Sequence, residues 1–467
     1  MRSMDGQARR AVTVLAICVT VGWIGVAPAA ASTPVADTAR SASAVFRVVA
    51  DSSAIVPGAV DRASPNLEAS YSAAVRLSWE NRSVHVSETI GVTNTSGGPI
   101  DRIELNAVPA RLGGMHLGRV TVDATLVPAS IADQTIIVPL GGTLPDGAST
   151  TVRLSFAARL RTTTGGSDWM FTKRNGIVDM YRWLPWVSRR LPFDRPNFGD
   201  PFVTPVSHRV RLTVTTDRPL VIATNGRRTS MSSDRLRQTF EATDVRDVPI
   251  TAATDYRAMS GTVDGIAVRV YTRPGGLSAS ALLSRARTAL SRLADLVGPY
   301  PYPTFRIAES AGGWAMESPG IVWIPRGTAT SSLPYLVTHE TAHQWFYGLV
   351  GNDQAAQPFA DEASADFLAR HVLGTRRASR CSATALDRTI YRYSKACYYE
   401  VVYIQGGNLL DDVRRKMGST VFWRALRRYM VDQRFDLSTT QTLLTALDDA
   451  TPLDLRATFE KRFPAYY

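Results

Sequence analysis

The stretch His339-Glu340-Thr341-Ala342-His343 constrains this chain more than any other, because its polar residues match the needs of a hydrolytic zinc site. Residues four apart lie on the same face of an α-helix, so both imidazoles can bind one metal ion while Glu340 lies beside it. A catalytic zinc ion keeps three protein ligands and leaves a fourth position for water. The third protein ligand must therefore come from another part of the chain.

Glu362 is the best candidate for this third ligand. It follows His343 after an interval of 18 residues and lies in a stretch, 359–367, that reads as the start of a second helix antiparallel to the first. Asp366 lies one turn beyond Glu362, and we expect it to hold a ligand imidazole, because zinc-bound His usually donates its other N–H to a carboxylate or carbonyl. A surface helix with two solvated His residues is the alternative, and the correctly spaced Glu argues against it.

Three segments resemble one known family. The residues from His339 to Val350, which read HETAHQWFYGLV, together with the later Glu362 resemble the gluzincin aminopeptidases of the aminopeptidase N and leukotriene hydrolase type. The segment GWAMESPG, which contains Glu317, is similar to the family's Gly-Ala-Met-Glu-Asn segment, with Trp and Ser in place of the first Gly and the Asn. YIQGG, which begins at Tyr403, is similar to the family's Tyr-Glu-Lys-Gly-Ala.

The resemblance implies roles for residues outside the metal motif. Glu317 is expected to bind the free α-ammonium group of a substrate, and Tyr403 to hydrogen-bond the oxyanion of the tetrahedral intermediate. Glu340 is not needed as a ligand and is expected to be the general base. The family also has a Gln or Glu in its β domain that helps to bind the amine, and no equivalent is evident here. The stretch 192–196 replaces the family's Pro-Cys-x-Asp-Glu-Pro.

These residues together predict a zinc-dependent aminopeptidase with one Zn²⁺ per chain and peptides with free N-termini as substrates. A zinc endopeptidase of the thermolysin type is one alternative, because it needs the same metal and base and has no amine for Glu317 to bind. A non-catalytic peptide-binding or scaffold protein is another, although a scaffold has no reason to retain Glu340.

The N-terminus predicts export. Residues 1–31 have the three parts of a secretory signal peptide: basic residues, then an apolar run over 11–27, then small residues at the cleavage site. An uncleaved membrane anchor is the alternative. Residues 32–67, rich in Ala, Ser, Pro and Asp, predict a flexible spacer. After the signal only Cys381 and Cys397 remain, and this even count in an exported chain predicts a disulfide, with two buried free thiols as an equal alternative.

The rest of the chain predicts an α+β protein. From Tyr71, apolar residues alternate with polar ones in short runs separated by turns, so residues 68–260 are expected to form an antiparallel β-sandwich. The aromatic- and proline-rich stretch 162–205 lacks a regular pattern and is a candidate lining of the substrate cleft. Residues 261–467 are expected to form a thermolysin-like α/β catalytic domain, without the large C-terminal helical domain of longer relatives.

The chain has 467 residues and a net charge of +12, and nearly all of its basic residues are arginines. The positive electrostatic field of such a chain favours a loose association with an anionic cell envelope. This is consistent with secretion or attachment to the envelope. The arginines are scattered along the chain and do not alternate with aromatic residues in a basic run, so nucleic acid is not an expected partner.

Overall fold

The computed structural model describes residues 54–195 and 199–467. The strands, in chain order, are β1 (Leu67–Leu77), β2 (Ser83–Asn94), β3 (Ile100–Asn106), β4 (His116–Val122), β5 (Thr125–Leu126), β6 (Ser130–Ala132), β7 (Thr135–Leu144), β8 (Ser149–Arg159), β9 (Phe171–Arg174), β10 (Ile177–Met180), β11 (Trp186–Val187), β12 (Arg209–Thr216), β13 (Val221–Ala223), β14 (Arg227–Met231), β15 (Arg237–Ala242), β16 (Ile250–Ala253), β17 (Arg257–Val263), β18 (Ile266–Thr272), β19 (Thr304–Ser310), β20 (Met316–Ser318), β21 (Ile321–Pro325), β22 (Gly351–Asn352) and β23 (Leu437–Ser438). The helices are α1 (Val108–Leu112), α2 (Ala279–Val297), α3 (Leu333–Ala342), α4 (Ser364–Leu373), α5 (Gly406–Met417), α6 (Ser419–Asp432), α7 (Thr440–Asp448) and α8 (Arg456–Glu460).

The first part of the chain is built from strands whose alternation fixes their buried face. In β1 every second residue is buried, from Leu67 through Tyr71 to Leu77, and the residues between are exposed. The largest sheet has the order β14-β15-β12-β1-β2-β8-β4-β5. Its pairs are antiparallel except that β1 pairs with β12 in parallel register. Two four-stranded antiparallel sheets, β13-β16-β10-β9 and β11-β3-β7-β6, complete this part.

The stretch 162–205 contains short strands that its sequence pattern did not predict. β10 is buried at all four positions, and both residues of β11 are buried. A strand that is buried on both faces has no polar–apolar alternation, so its sequence cannot be told from an irregular apolar loop. Trp169 and Trp183, each 1% exposed, fill the core next to these strands.

The second part places helices on a mixed five-stranded sheet, β17-β18-β19-β21-β20. β18, β19 and β21 are parallel to one another, whereas the edge strand β20 is antiparallel to β21. The segment with Glu317 therefore lies at a sheet edge. Helix α2 begins with a Ser278 N-cap, whose side chain accepts a hydrogen bond from the Ala281 amide at 3.3 Å.

The predicted disulfide is present: Cys381 and Cys397 are bonded, with a Cα–Cα distance of 5.7 Å.

No helix among the described residues is long and apolar enough to cross a membrane. The predicted signal peptide and most of the spacer lie outside the described residues. The limits of the β domain and the catalytic domain, 68–260 and 261–467, stay a prediction.

Asp179 on β10 links the β part to the chain that follows β19. Its Oδ1 accepts a hydrogen bond from Thr251 Oγ1 at 2.6 Å, and its Oδ2 accepts one from the Ala311 amide at 2.7 Å. The Tyr256 hydroxyl contacts the same threonine at 3.1 Å. Burial raises the pKa of Asp179 to about 7, since these hydrogen bonds only partly offset the cost of desolvating the carboxylate.

We expect Asp179→Asn to change the pH dependence of stability. A carboxyl group with a raised folded-state pKa contributes stability that is full below its ordinary value of 3.8 and is lost as the pH rises through about 7. A pKa raised from 3.8 to about 7 corresponds to at most about 4 kcal/mol of unfolding free energy. Urea unfolding of both proteins from about pH 4 to about pH 8 measures the free energy of unfolding at each pH. The advantage of the natural chain over the Asn variant should shrink across this window, and two parallel curves would contradict the assignment.

Candidate metal centre

Two helical segments bring the three predicted metal ligands to one point. His339 lies in the last turn of α3, and His343 continues the helical conformation as its C-cap. Glu362 lies on a π-helical turn, Phe359–Ala363, that leads directly into α4. The three side chains are at most 7% exposed. The spacing that suggested a zinc site thus corresponds to a buried cluster.

The ligand atoms have the separation that zinc requires. The Nε2 atoms of His339 and His343 are 3.2 Å apart, and Glu362 Oε2 lies 3.4 Å from each of them. Ligand atoms at 2.0–2.1 Å from a tetrahedral zinc ion are separated by about 3.3 Å. Two imidazole nitrogens and a carboxylate oxygen are also the donor types that zinc binds. The residues present therefore fit a zinc ion.

The cluster also attracts positive charge. Burial opposes ionisation of Glu362, but contacts with the two imidazoles outweigh burial and lower the pKa of this carboxyl. Burial likewise opposes protonation of His343, yet the neighbouring carboxylates of Asp361 and Glu317 raise the pKa of this imidazole well above its usual value. A divalent cation would relieve the same excess of negative charge.

Asp361, and not Asp366, contacts the imidazole of a predicted metal ligand, so the prediction for Asp366 is wrong. Asp361 Oδ1 lies 2.7 Å from His343 Nδ1. Asp366 instead accepts hydrogen bonds from the Tyr335 hydroxyl at 2.5 Å and from Arg370 Nε at 2.7 Å. Because the two helices are antiparallel, Asp366, one turn after Glu362, lies opposite Tyr335, one turn before His339. Asp366 therefore lies away from the cluster.

Two further carboxylates lie beside the cluster. Oxygen atoms of Glu317 and Glu340 and a ring nitrogen of His343 all lie within 4.8 Å of one another. Burial is the main cause that raises the pKa of Glu340 to about 7, with Glu362 and Asp200 adding to it and the imidazoles opposing it. Burial also raises the pKa of Glu317 well above its usual value. A carboxyl group with a pKa near 7 can both accept and release a proton at neutral pH.

Two glutamines fix the position of Glu317. Gln354 Nε2 donates to Glu317 Oε1 at 3.1 Å and to Asp361 Oδ2 at 2.8 Å, which connects the carboxylate to the support of the metal cluster. Gln344, the residue after His343, donates through Nε2 to the Ser318 carbonyl at 3.0 Å, and its Oε1 accepts from the Gly320 amide at 2.7 Å. The helix that carries the metal motif therefore also holds the strand that carries Glu317.

A cavity of about 410 Å³ opens onto the cluster. Tyr403 lines it, with its ring stacked on that of His339 at 5.7 Å between centroids. The lining residues are Arg195, Asp200, Trp314, Ala315, Met316, Glu317, Tyr335, Leu336, His339, Glu340, His343, Glu362, Tyr398, Tyr399 and Tyr403. Arg195 and Asp200 belong to the irregular stretch 162–205, which thus reaches the cavity as the sequence suggested.

Several residues of the site were missed from the sequence. Asp361 had a usable signal, because it precedes Glu362 directly and two antiparallel helices place it opposite His343. Asp200 is buried and forms an ion pair with Arg195 at 2.7 Å, and no motif marked either residue. Gln354 lies in an irregular segment and had no signal.

Solved structures share this architecture. An M1 zinc metallopeptidase mutant from Deinococcus radiodurans is 18% identical, with a TM-score of 0.67, and the match covers 87% of this chain and 96% of that one. The same values hold for that mutant bound to a Tyr-Ser-Ala substrate. A two-domain M1 zinc metallopeptidase mutant bound to L-tryptophan is 18% identical, with a TM-score of 0.64 and coverage of 85% and 94%. This chain has the two-domain M1 zinc metallopeptidase fold. The resemblance that the motifs indicated is confirmed at the level of the fold, and so is the α+β class. No protein-family model and no curated protein matches the sequence.

We expect Asp361→Ala to weaken zinc binding by about 10–100-fold, because the ligand imidazole of His343 would lose the carboxylate that orients it. Competition with a chelator of known affinity measures this change. Asp366→Ala is the matched control, since it removes a buried carboxylate from the same helical segment. It should lower stability by about 1–3 kcal/mol through the loss of its Tyr335 contact, with zinc affinity little changed. A loss of zinc affinity in the control alone would restore the original assignment.

Proposed function

We propose that this chain is a secreted zinc aminopeptidase that removes N-terminal residues from peptides. The observation that carries the proposal is the buried carboxylate of Glu317 beside the predicted metal ligands, within 4.8 Å of both Glu340 and His343. Burial raises the pKa of this carboxyl, and a substrate ammonium group would favour its ionised form by offering a charge-assisted partner.

His339, His343 and Glu362 are the proposed zinc ligands, and their spacing and donor types support this. Zinc bound there would supply Lewis acidity, which lowers the pKa of water to about 7 and polarises a carbonyl group. Asp361 would keep the imidazole of His343 in the orientation that metal binding needs.

Glu340 is the proposed general base. It lies beside the ligand cluster and is 4% exposed, and its Oε2 has no hydrogen-bond partner among the described residues. That oxygen would take a proton from the attacking water and deliver it to the amine that leaves. The pKa of about 7 that burial gives this carboxyl suits both transfers.

Tyr403 is proposed to donate a hydrogen bond to the oxyanion that develops on the scissile carbonyl. Burial raises the pKa of this phenol, and the nearby carboxylate of Glu362 raises it further, so the hydroxyl keeps its proton. Its ring is stacked on the ligand His339, which holds the hydroxyl close to the metal cluster.

Free N-termini define the proposed substrates. One structural neighbour binds a Tyr-Ser-Ala substrate and another binds L-tryptophan, and both ligands present an α-ammonium group. Glu317 would bind that group and thereby fix the chain end one residue from the scissile bond. Export remains part of the proposal and is based on the N-terminal sequence alone.

We expect Glu340→Gln to lower kcat by about 10²–10⁴-fold, because only the proton carrier is lost. Its zinc content and thermal unfolding should match those of the natural chain, and metal analysis with calorimetry checks both. Near-normal turnover by the folded, zinc-loaded variant would remove Glu340 from this role.

The second test compares one peptide in its free and N-acetylated forms. The free form should yield a ladder of products shortened from the N-terminus, whereas the acetylated form should resist cleavage because it leaves Glu317 buried and unpaired. Glu317→Gln should lower both the rate and the discrimination, and mass spectrometry of the products measures them. Internal cleavage of both forms at similar rates would indicate an endopeptidase, and no cleavage of either would indicate a binding protein.

A further inference from the structure

Trp314 is an exposed tryptophan at the mouth of the catalytic cavity. Its side chain lines the cavity and is 52% exposed, whereas the other described tryptophans are at most 9% exposed. A large aromatic side chain that is half-exposed at the entrance of a site is more often a contact surface for a ligand than a packing element. In the family that the sequence resembles, a Gly stands at this position.

The backbone before Trp314 is held in place from both sides. The Ala311 amide donates to Asp179, and the Ala311 carbonyl accepts a hydrogen bond from Asn175 at 2.9 Å. Gly313 has a φ of +84°, and a Cβ there would lie 2.2 Å from the Trp169 ring. The indole is therefore carried by a fixed segment, which favours a preorganised contact over a mobile loop.

The cavity gives a bound peptide one direction in which to continue from Glu317. Beyond Glu317, the backbone of Ser318 and Gly320 is buried and bonded to Gln344. In the opposite direction the segment becomes progressively exposed, from buried Met316 to half-exposed Trp314. An extended chain whose N-terminus is bound at Glu317 must therefore run along the edge strand β20 toward the indole.

The distance along the strand limits which substrate residues can meet the indole. Trp314 precedes Glu317 by three residues, which corresponds to about 10 Å of extended chain. We propose that Trp314 binds a large apolar side chain at the second or third residue of the substrate, on the leaving-group side of the scissile bond. This inference depends on the proposed aminopeptidase function and makes the preferred substrates peptides of three or more residues.

The experiment compares four substrates with the same N-terminal residue: Leu-amide, Leu-Ala-Ala-amide, Leu-Phe-Ala-amide and Leu-Ala-Phe-amide. The natural chain should cleave one of the two Phe-containing peptides with a higher kcat/KM than Leu-Ala-Ala-amide. In Trp314→Ala this preference should fall by about 10-fold, because the aromatic contact is lost. The ratio of tripeptide to Leu-amide cleavage should fall too, since Leu-amide does not reach the indole. Trp314→Phe should keep part of the preference.

Binding without turnover gives an independent measurement. In the Glu340→Gln background, calorimetric titration with the preferred Phe peptide should show weaker binding when Trp314 is replaced by Ala. Val431→Ala is the control, because Val431 is 70% exposed on α6 and does not line the cavity. Unchanged ratios and affinities in folded Trp314→Ala would overturn the inference while leaving the proposed function intact. Failure of the natural chain to cleave any of the four substrates would overturn the proposed function and this inference with it.

Discussion

The antiparallel contact between α3 and the segment that starts α4 is the interaction on which the site depends. It brings several carboxylates and two imidazoles into one buried space, where unpaired charges are costly. Two of the buried carboxylates near the contact have partners that offset part of this cost: Asp361 faces His343, and Asp366 faces Tyr335 and Arg370. The same contact leaves the three ligand atoms facing one another, an arrangement that a cation stabilises.

A second consequence of this contact is that the predicted metal ligands are linked to Glu317, the proposed amine-binding residue. Gln344 follows His343 directly and bonds to both ends of the turn after Glu317. Gln354 joins Glu317 to Asp361. A shift of α3 would therefore move the predicted metal ligands and the proposed amine-binding carboxylate together, which would preserve the distance between them.

The sequence predicted the parts of the site that obey a short period and missed those that depend on packing. His339 and His343 share a helix face, and Glu362 was found because its spacing fits an antiparallel return. Asp366 was misassigned because the prediction continued along one helix, whereas the contact with His343 is made across two helices by Asp361. The same limit hid β10 and β11, whose complete burial removes the alternation from which strands are recognised.

The replacement of the family's Asn by Ser318 has a physical account in the β part of the chain. The Ser318 hydroxyl donates to Asp247, whose other oxygen lies 3.6 Å from the buried guanidinium of Arg182. Burial raises the pKa of Asp247, and the guanidinium opposes that shift. Edge strand β20 is thus bonded to the β part through the Ser318 hydroxyl and to the segment that follows α3 through Gln344. Because the end of β20 at Ser318 is fixed in this way and β21 pairs with the strand, the orientation of Glu317 depends on both halves of the chain.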